Sequence, residues 1–487
     1  MRFMNSRWFA ALASMAVLAA GCSDGTGPSH PELVISTTSL PAAMAGEPYS
    51  EGVSAEGGDG EYEWEVVSGE LPAGLSLSVE DLPANDVVIT GVPESEGTFT
   101  FTVEVRSGDG QAAGAELTLE VMPPANALRI ESPFLPPAIA GAPYDVTLLA
   151  AGGTGDVTWR LVSGSLPDGM TLNGADVEGT PTSPDTSTFT VEAVRGDEAH
   201  QATFTLTVIE DAPGSYDITI VEVAPVPGPI RSSLRDAIAE WETAITGDLV
   251  GGLIGKNFFP SGSCGGFGRF TNGAVVEDIL IIVNITSIDG PGDVLGQAGP
   301  CAIRSEGSLT LVGLLTLDAD DLELLSTPAA GESMMFIISH EIAHVLGFGS
   351  LWEDLELITG AGTTTPLFTG SEAVREWQAL GGSGDVPVEN SGGEGTADVH
   401  WEESELNSER MTGFVEQPGL DQPLSRVSLA AMADLGYAVD LDAADPFVLP
   451  AILDLGTAHD HLGYDIVLDE PLLVARPDGT AYQRRPR

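Results

Sequence analysis

The chain has 487 residues, enough for about three domains, and its 43% hydrophobic content excludes global disorder. It carries 73 acidic against 18 basic residues, a net charge of −55, and Lys256 is its only lysine. A surface so acidic repels nucleic acid and anionic lipid headgroups, and its self-repulsion is of the kind that salt screens.

Arg2 and Arg7 precede a short apolar run, Trp8 to Ala20, too short to span a bilayer comfortably and placed where export signals lie. The run ends in Leu18-Ala19-Ala20-Gly21-Cys22, which resembles a bacterial lipoprotein signal. That resemblance implies a signal peptide over 1–21, cleavage before Cys22 and lipid on Cys22; an ordinary cleaved signal is the alternative. The chain is therefore expected to be exported, lipid-anchored to a bacterial membrane or cell surface, or secreted if the signal is of the ordinary kind. Residues 22–31 read as a flexible Gly/Ser/Pro tether. No later segment is long and apolar enough for a transmembrane helix.

A repeat fills the first half. Leu40-Pro41, Ala45-Gly46, Pro48-Tyr49, Gly57-Gly58, Trp64 and Ser68-Gly69 recur 95 positions later as Leu135-Pro136, Ala140-Gly141, Pro143-Tyr144, Gly152-Gly153, Trp159 and Ser163-Gly164. Period-two runs between Gly/Pro turns predict two all-β sandwiches, over 32–122 and 127–210. They resemble the immunoglobulin-like domains of bacterial surface proteins. Neither contains a cysteine, so Trp64 and Trp159 read as core aromatics rather than ligand platforms. Such modules serve as spacers or binding and adhesion units, and their ligand is not written in the sequence.

Ala212-Pro213-Gly214 marks the next boundary. Beyond it Leu234, Ile238, Trp241 and Ile245 form a helical stripe within Ser232 to Ile245. Asp278 to Ile288 and Leu309 to Leu317 read as buried strands. Asp318 is placed to cap a short helix; Asp318, Asp320 and Asp321 binding calcium is the less favoured reading. Mixed elements make residues 215–447 an α+β domain, followed by a tail, 448–487, expected to be peripheral. In an exported chain, Cys264 and Cys301 read as one disulfide, with two buried thiols as the alternative.

Glu332 to Leu346 has the composition of a helix ending at Gly347, and it contains His340-Glu341-Ile342-Ala343-His344. Residues four apart lie one turn above each other, so both imidazoles share a face where zinc can take two ligands. Glu341, rotated about 100°, stays beside the same metal, where a carboxylate can deprotonate water. Zinc needs a third protein ligand. The remaining histidines are His30, in the tether, His200, in a sandwich, and His400, His459 and His461; a carboxylate is also open.

The stretch from about Asp278 to Asp440 resembles the leishmanolysin family, metzincin peptidases with an insertion between the helix-ending glycine and the third histidine. The matching words are His340 to Phe348, Gly395-Thr396 before His400-Trp401, and Glu409-Arg410-Met411-Thr412-Gly413. Ser425 to Tyr437, Asp289-Gly290-Pro291-Gly292 and Leu295 to Cys301 match as well. In the compact metzincin pattern the third histidine would stand at 350, which here is Ser350. The resemblance therefore implies His400 as third ligand, one catalytic Zn2+, Met411 in a methionine turn and Glu341 as general base. Arg410 departs from the apolar residue expected there, and Gly413 replaces the tyrosine that touches zinc in some metzincins.

The expectation is thus two immunoglobulin-like sandwiches and an α+β metzincin-type domain acting as a zinc endopeptidase on proteins or peptides. By the same analogy, Leu309 to Leu317 is the candidate edge for an extended substrate. The alternative is a surface-binding, adhesive protein with a vestigial zinc domain.

Overall fold

The computed structural model describes residues 30–79, 86–124, 126–210, 214–292, 294–322, 331–393, 395–416, 420–450, 464–467 and 471–484. The export signal, Cys22, His459 and His461 lie outside the described residues. The chain divides into two compact units, Met1–Ala125 and Asn126–Arg487.

In the first unit the alternating runs form two four-stranded sheets. Their spatial orders are Val34–Ile35, Tyr49–Glu56, Asp86–Gly91, Leu75–Ser78 and Ala43–Met44, Ala112–Met122, Gly97–Ser107, Tyr62–Gly69. Every second residue turns inward, as a period of two requires: Phe101, Val103 and Val105 are buried, as are Leu117, Leu119 and Val121 opposite. On the outer face the Thr100 and Thr118 hydroxyls meet at 3.2 Å. Trp64 packs, partly buried, against this core.

The second unit opens with the repeat of that sandwich, in which Trp159 takes the same partly buried place. This sandwich packs directly against the α+β domain. Phe134 meets Phe270 edge-on at 6.1 Å, and the Asp145 N–H donates to the Gly273 carbonyl at 3.2 Å. The single lysine, Lys256, reaches Asp145 at 2.7 Å and Asp176 at 3.3 Å.

The α+β domain is built on a seven-stranded sheet. Ile218–Glu222, Ile279–Thr286 and Thr310–Asp318 run parallel, and Val294–Arg304 runs antiparallel beside the last. Ile279, Ile281 and Val283 face helices Gly228–Ala244 and Gly331–Leu346, while Leu280 and Ile282 face a second layer with Phe258, Phe259 and Phe270. Burial on both faces explains why this strand is an unbroken apolar run. The second layer contains the Cys264–Cys301 bridge, with Cα atoms 5.3 Å apart. Trp241 joins the two helices, its indole N–H donating to the Ser339 carbonyl at 2.8 Å.

Two expectations are corrected by this sheet. Thr310–Asp318 is not an edge, because it is paired on both sides. The described strands beyond 447 are not peripheral: Tyr464–Val467 and Leu473–Ala475 both pair in parallel with Val294–Arg304, and Ala481–Gln483 pairs with Leu473–Ala475. Strands of three or four residues are too short to show an alternation in sequence. Asp318 does cap a turn, its carboxylate accepting from the Asp320 N–H at 2.8 Å. Among the described residues, no helix is long and apolar enough to cross a membrane.

Candidate metal centre

Helix Gly331–Leu346 sets His340 and His344 one turn apart on a buried face, with their Nε2 atoms 2.8 Å from each other. The helix ends at Gly347, and the Ser350 hydroxyl donates to the His344 carbonyl at 2.7 Å, satisfying one of the last helical acceptors. Ser350 thus finishes the helix rather than approaching the histidines. One residue earlier, Gly349 has φ +70, and a Cβ there would stand 2.2 Å from the Val399 carbonyl oxygen. Only a bare backbone lets this turn lie against the strand of chain that delivers His400.

The intervening residues form a small lobe of their own. It holds helix Ser371–Ala379 and a three-stranded sheet of Ile358–Thr359, Leu367–Phe368 and Val386–Pro387. The lobe is fastened by a fully buried aromatic cluster in which Trp401 lies 5.1 Å from Trp352, 5.0 Å from Phe348 and 5.4 Å from Phe368. Locking Trp401 this way fixes the residue next to His400. His400 Nε2 then sits 3.2 Å from His340 Nε2 and 3.0 Å from His344 Nε2.

The other ring nitrogens decide the chemistry. Nδ1 of His340 lies 2.6 Å from the Arg410 carbonyl, that of His344 2.8 Å from the Phe348 carbonyl, and that of His400 2.8 Å from the Thr396 carbonyl. A carbonyl oxygen only accepts, so each Nδ1 is the donor, and the Nε2 atoms are left to turn their lone pairs inward. Three imidazole lone pairs 2.8–3.2 Å apart repel unless a cation lies among them. An all-imidazole set of three matches a catalytic zinc shell with metal–nitrogen bonds of about 2.0–2.1 Å, and the carbonyl contacts are the outer support such ligands need. Among the described residues this is the group of histidine, cysteine and carboxylate side chains suited to hold a metal. His30 instead pairs with Asp109 at 3.2 Å, and His200 accepts from the Ile130 N–H at 3.2 Å.

Glu341 is fully buried on the same helix, its carboxylate against the backbone of Gly296 on strand Val294–Arg304. Met411 is also fully buried. The Arg410 carbonyl serves His340, and the Met411 carbonyl accepts from the Trp401 N–H at 2.9 Å, so the turn is tied to His340 and to the residue beside His400 at once. Glu409 holds the turn from behind. Its carboxylate accepts from Met411 N at 2.6 Å, Ser425 N at 2.9 Å and the Ser428 hydroxyl at 2.6 Å, at the start of helix Arg426–Leu435.

Several of these roles escape sequence reasoning. The Arg410 side chain, a departure from the family word, is buried: Nη1 lies 2.7 Å from Glu240 and 3.1 Å from the Ser339 hydroxyl, Nε donates to Gln422 O at 2.7 Å, and the guanidinium sits 4.4 Å over the Phe336 ring. It stitches both helices to the turn that carries Met411. Glu403, three residues after His400, has its carboxyl pushed up to about 8, first by burial and then by the nearby Glu416, Glu389 and Glu402 charges, against a lowering bond from Thr412. A run such as Glu402-Glu403 reads as solvated surface in sequence; nothing local marks it as half-buried.

Comparison with known proteins fits this geometry. Residues 267–451 match the leishmanolysin family model, and residues 31–122 and 127–209 each match the model described as a putative Ig domain. No curated protein matches the chain. Solved structures with partial likeness include an endo-fucoidan hydrolase of glycoside hydrolase family 107, 19% identical over 41% of this chain and 31% of that one, TM-score 0.19. Others are the human desmocollin-1 ectodomain, at 9% over 38% and 42% with TM-score 0.19, and tandem Ig repeats of Dlar, at 17% over 37% and 99% with TM-score 0.16. The chain spans about a third of the hydrolase's length. Scores this low carry no argument about activity.

Proposed function

We propose that the leishmanolysin-family domain of this chain, which lies after two immunoglobulin-like domains, is an exported zinc endopeptidase with Glu341 as its general base. The observation that carries this reading is the convergence of three Nε2 atoms whose rings are each oriented by a backbone carbonyl. His340, His344 and His400 would hold the ion. Zinc, when bound, supplies a Lewis acid that polarises the scissile carbonyl and makes water acidic near neutral pH.

The protein's own groups do the rest. Glu341, one residue from a ligand, takes a proton from water at a carboxylate oxygen and returns it to the leaving amine nitrogen. Its burial keeps bulk water from competing for that proton. The rigid aromatic cluster behind Trp401 and the Glu409 bonds to the methionine turn hold the ligands so that little reorganisation is needed.

The Ig-like domains act as spacers between an anchor and the peptidase, and Cys22 would carry the lipid. Cys22→Ala should then release the protein from membranes into the medium or periplasm; retention on membranes in high salt would refute the anchor.

The activity is tested by zinc content and casein digestion with and without chelator. The wild-type chain should lose cleavage on chelation and regain it with zinc. Glu341→Ala should keep zinc while losing cleavage by several orders of magnitude, and near-normal turnover in that variant would sink the mechanism.

A further inference from the structure

With Thr310–Asp318 enclosed, the strand that lies beside Glu341 is Val294–Arg304, and its outer edge is where an extended chain would add by backbone hydrogen bonding. That edge is covered by the protein's own C-terminal region in two pieces of different character. Leu473–Ala475, opposite Ala302 to Arg304, is buried in the cores on both sides of the sheet and belongs to the fold. Tyr464–Val467 lies further along, with Tyr464 opposite Val294, Asp465 opposite Gly296, Ile466 opposite Gln297 and Val467 opposite Ala298.

The position of the second piece is specific. Asp465 pairs with Gly296, the residue whose backbone touches the Glu341 carboxylate. At its other end the Val467 N–H donates to the Gly395 carbonyl at 3.2 Å, and Gly395 adjoins Thr396, whose carbonyl orients His400. Four residues therefore bridge the strand beside the general base to the loop that carries the third histidine. An extended peptide adding to this edge would need the same N–H and C=O groups.

We propose that the Val294–Ala298 edge is a peptide-binding site whose resident occupant is Tyr464–Val467 of the same chain, which a substrate must displace. The proposal rests on the peptidase reading for what displacement achieves, though not for the occupancy itself. Being tethered, the occupant acts at an effective concentration of about millimolar, enough to weaken a micromolar peptide by more than ~10-fold.

The test uses the full-length, zinc-loaded chain carrying Glu341→Ala, so that a bound peptide survives. A fluorescein-labelled synthetic peptide with the sequence of residues 462–469 is titrated and read by anisotropy. Adding Asp465→Pro and Ile466→Pro takes the N–H from two consecutive residues, one of which alternation turns toward the Val294–Arg304 edge, and should tighten peptide binding by ~10-fold or more. Val467→Pro, which removes the donor to Gly395, is the milder variant should the double one fold poorly, and should tighten binding at least ~3-fold. Equal binding with and without these prolines overturns the occupant. Restoring Glu341 separates the two ideas. Prolines that raise both peptide binding and casein cleavage support both; prolines that raise binding in a chain that never cleaves leave the occupant standing and remove the peptidase; unchanged binding in a chain that cleaves does the reverse.

Discussion

Gly296 and Glu341 are fitted to one another: a Cβ on Gly296 would stand 2.1 Å from Glu341 Oε1 and 2.8 Å from its carboxyl carbon. The strand has to be bare at this point for the carboxylate to lie where it does. The clash falls on the far end of a flexible side chain, so Gly296→Ala should fold, with the carboxylate pushed aside. A displacement near 1 Å costs about 10²-fold in rate. Gly296→Ala is therefore expected to keep its zinc and lose about two orders of magnitude in kcat, read by steady-state kinetics beside metal analysis. Wild-type kcat in this variant would mean that Glu341 does not act from the position seen here.

His400 provides a separate prediction, because its Nε2 closes the triangle with His340 and His344. Removing one imidazole leaves zinc short of its three-ligand catalytic shell. His400→Ala should lose zinc on dialysis and lose activity. His200→Ala should retain both, since His200 accepts a sandwich N–H instead. His459→Ala and His461→Ala are likewise expected to change neither. Full zinc occupancy in dialysed His400→Ala would move the third ligand elsewhere.

These two cases show what was legible beforehand and what was not. Two histidines on one helix face are encoded by the helical period itself, so spacing alone brings His340 and His344 together. His400 is 56 residues beyond His344, on a loop, where no periodicity relates sequence to position. Only the likeness of the surrounding words to a family pointed to it. The apolar run of Thr310–Asp318 announces burial on both faces, but whether such a strand is central or at an edge depends on which chain lies beside it. The place of Gly296 was hidden for a related reason: a glycine in a strand marks a close approach without saying of what.

Arg410 tests how the turn that carries Met411 is held. Its buried guanidinium answers Glu240, the Ser339 hydroxyl and the Gln422 carbonyl together. Arg410→Met strands those partners and should cost about 3 kcal/mol in denaturant unfolding. Replacing both charges, as in Glu240→Leu with Arg410→Met, should recover most of that loss, since apolar pairs often substitute for buried ionic ones. The backbone carbonyl that orients His340 is untouched, so activity per zinc-bound molecule should stay within a few-fold. A collapse of activity at unchanged stability would assign the side chain a direct part in the chemistry.

Glu403 makes a prediction about pH. Burial and the neighbouring Glu416, Glu389 and Glu402 raise its carboxyl from 4.5 to about 8 in the folded protein, whereas the unfolded chain ionises near 4.5. Between those values the folded state binds the extra proton. Stability changes with pH in proportion to protons bound by the unfolded state minus those bound by the folded state, so this difference is negative across the window. Glu403 therefore lowers stability progressively as pH rises from about 4.5 to about 8, and adds no further slope outside that range. Glu403→Gln keeps the shape and removes the titration. Its unfolding midpoint should match the wild type near pH 4, exceed it increasingly toward pH 8, and hold a constant advantage above. The measurement is denaturant unfolding of both proteins at pH steps across this range. Parallel curves throughout would show that Glu403 ionises in the fold as readily as in the open chain.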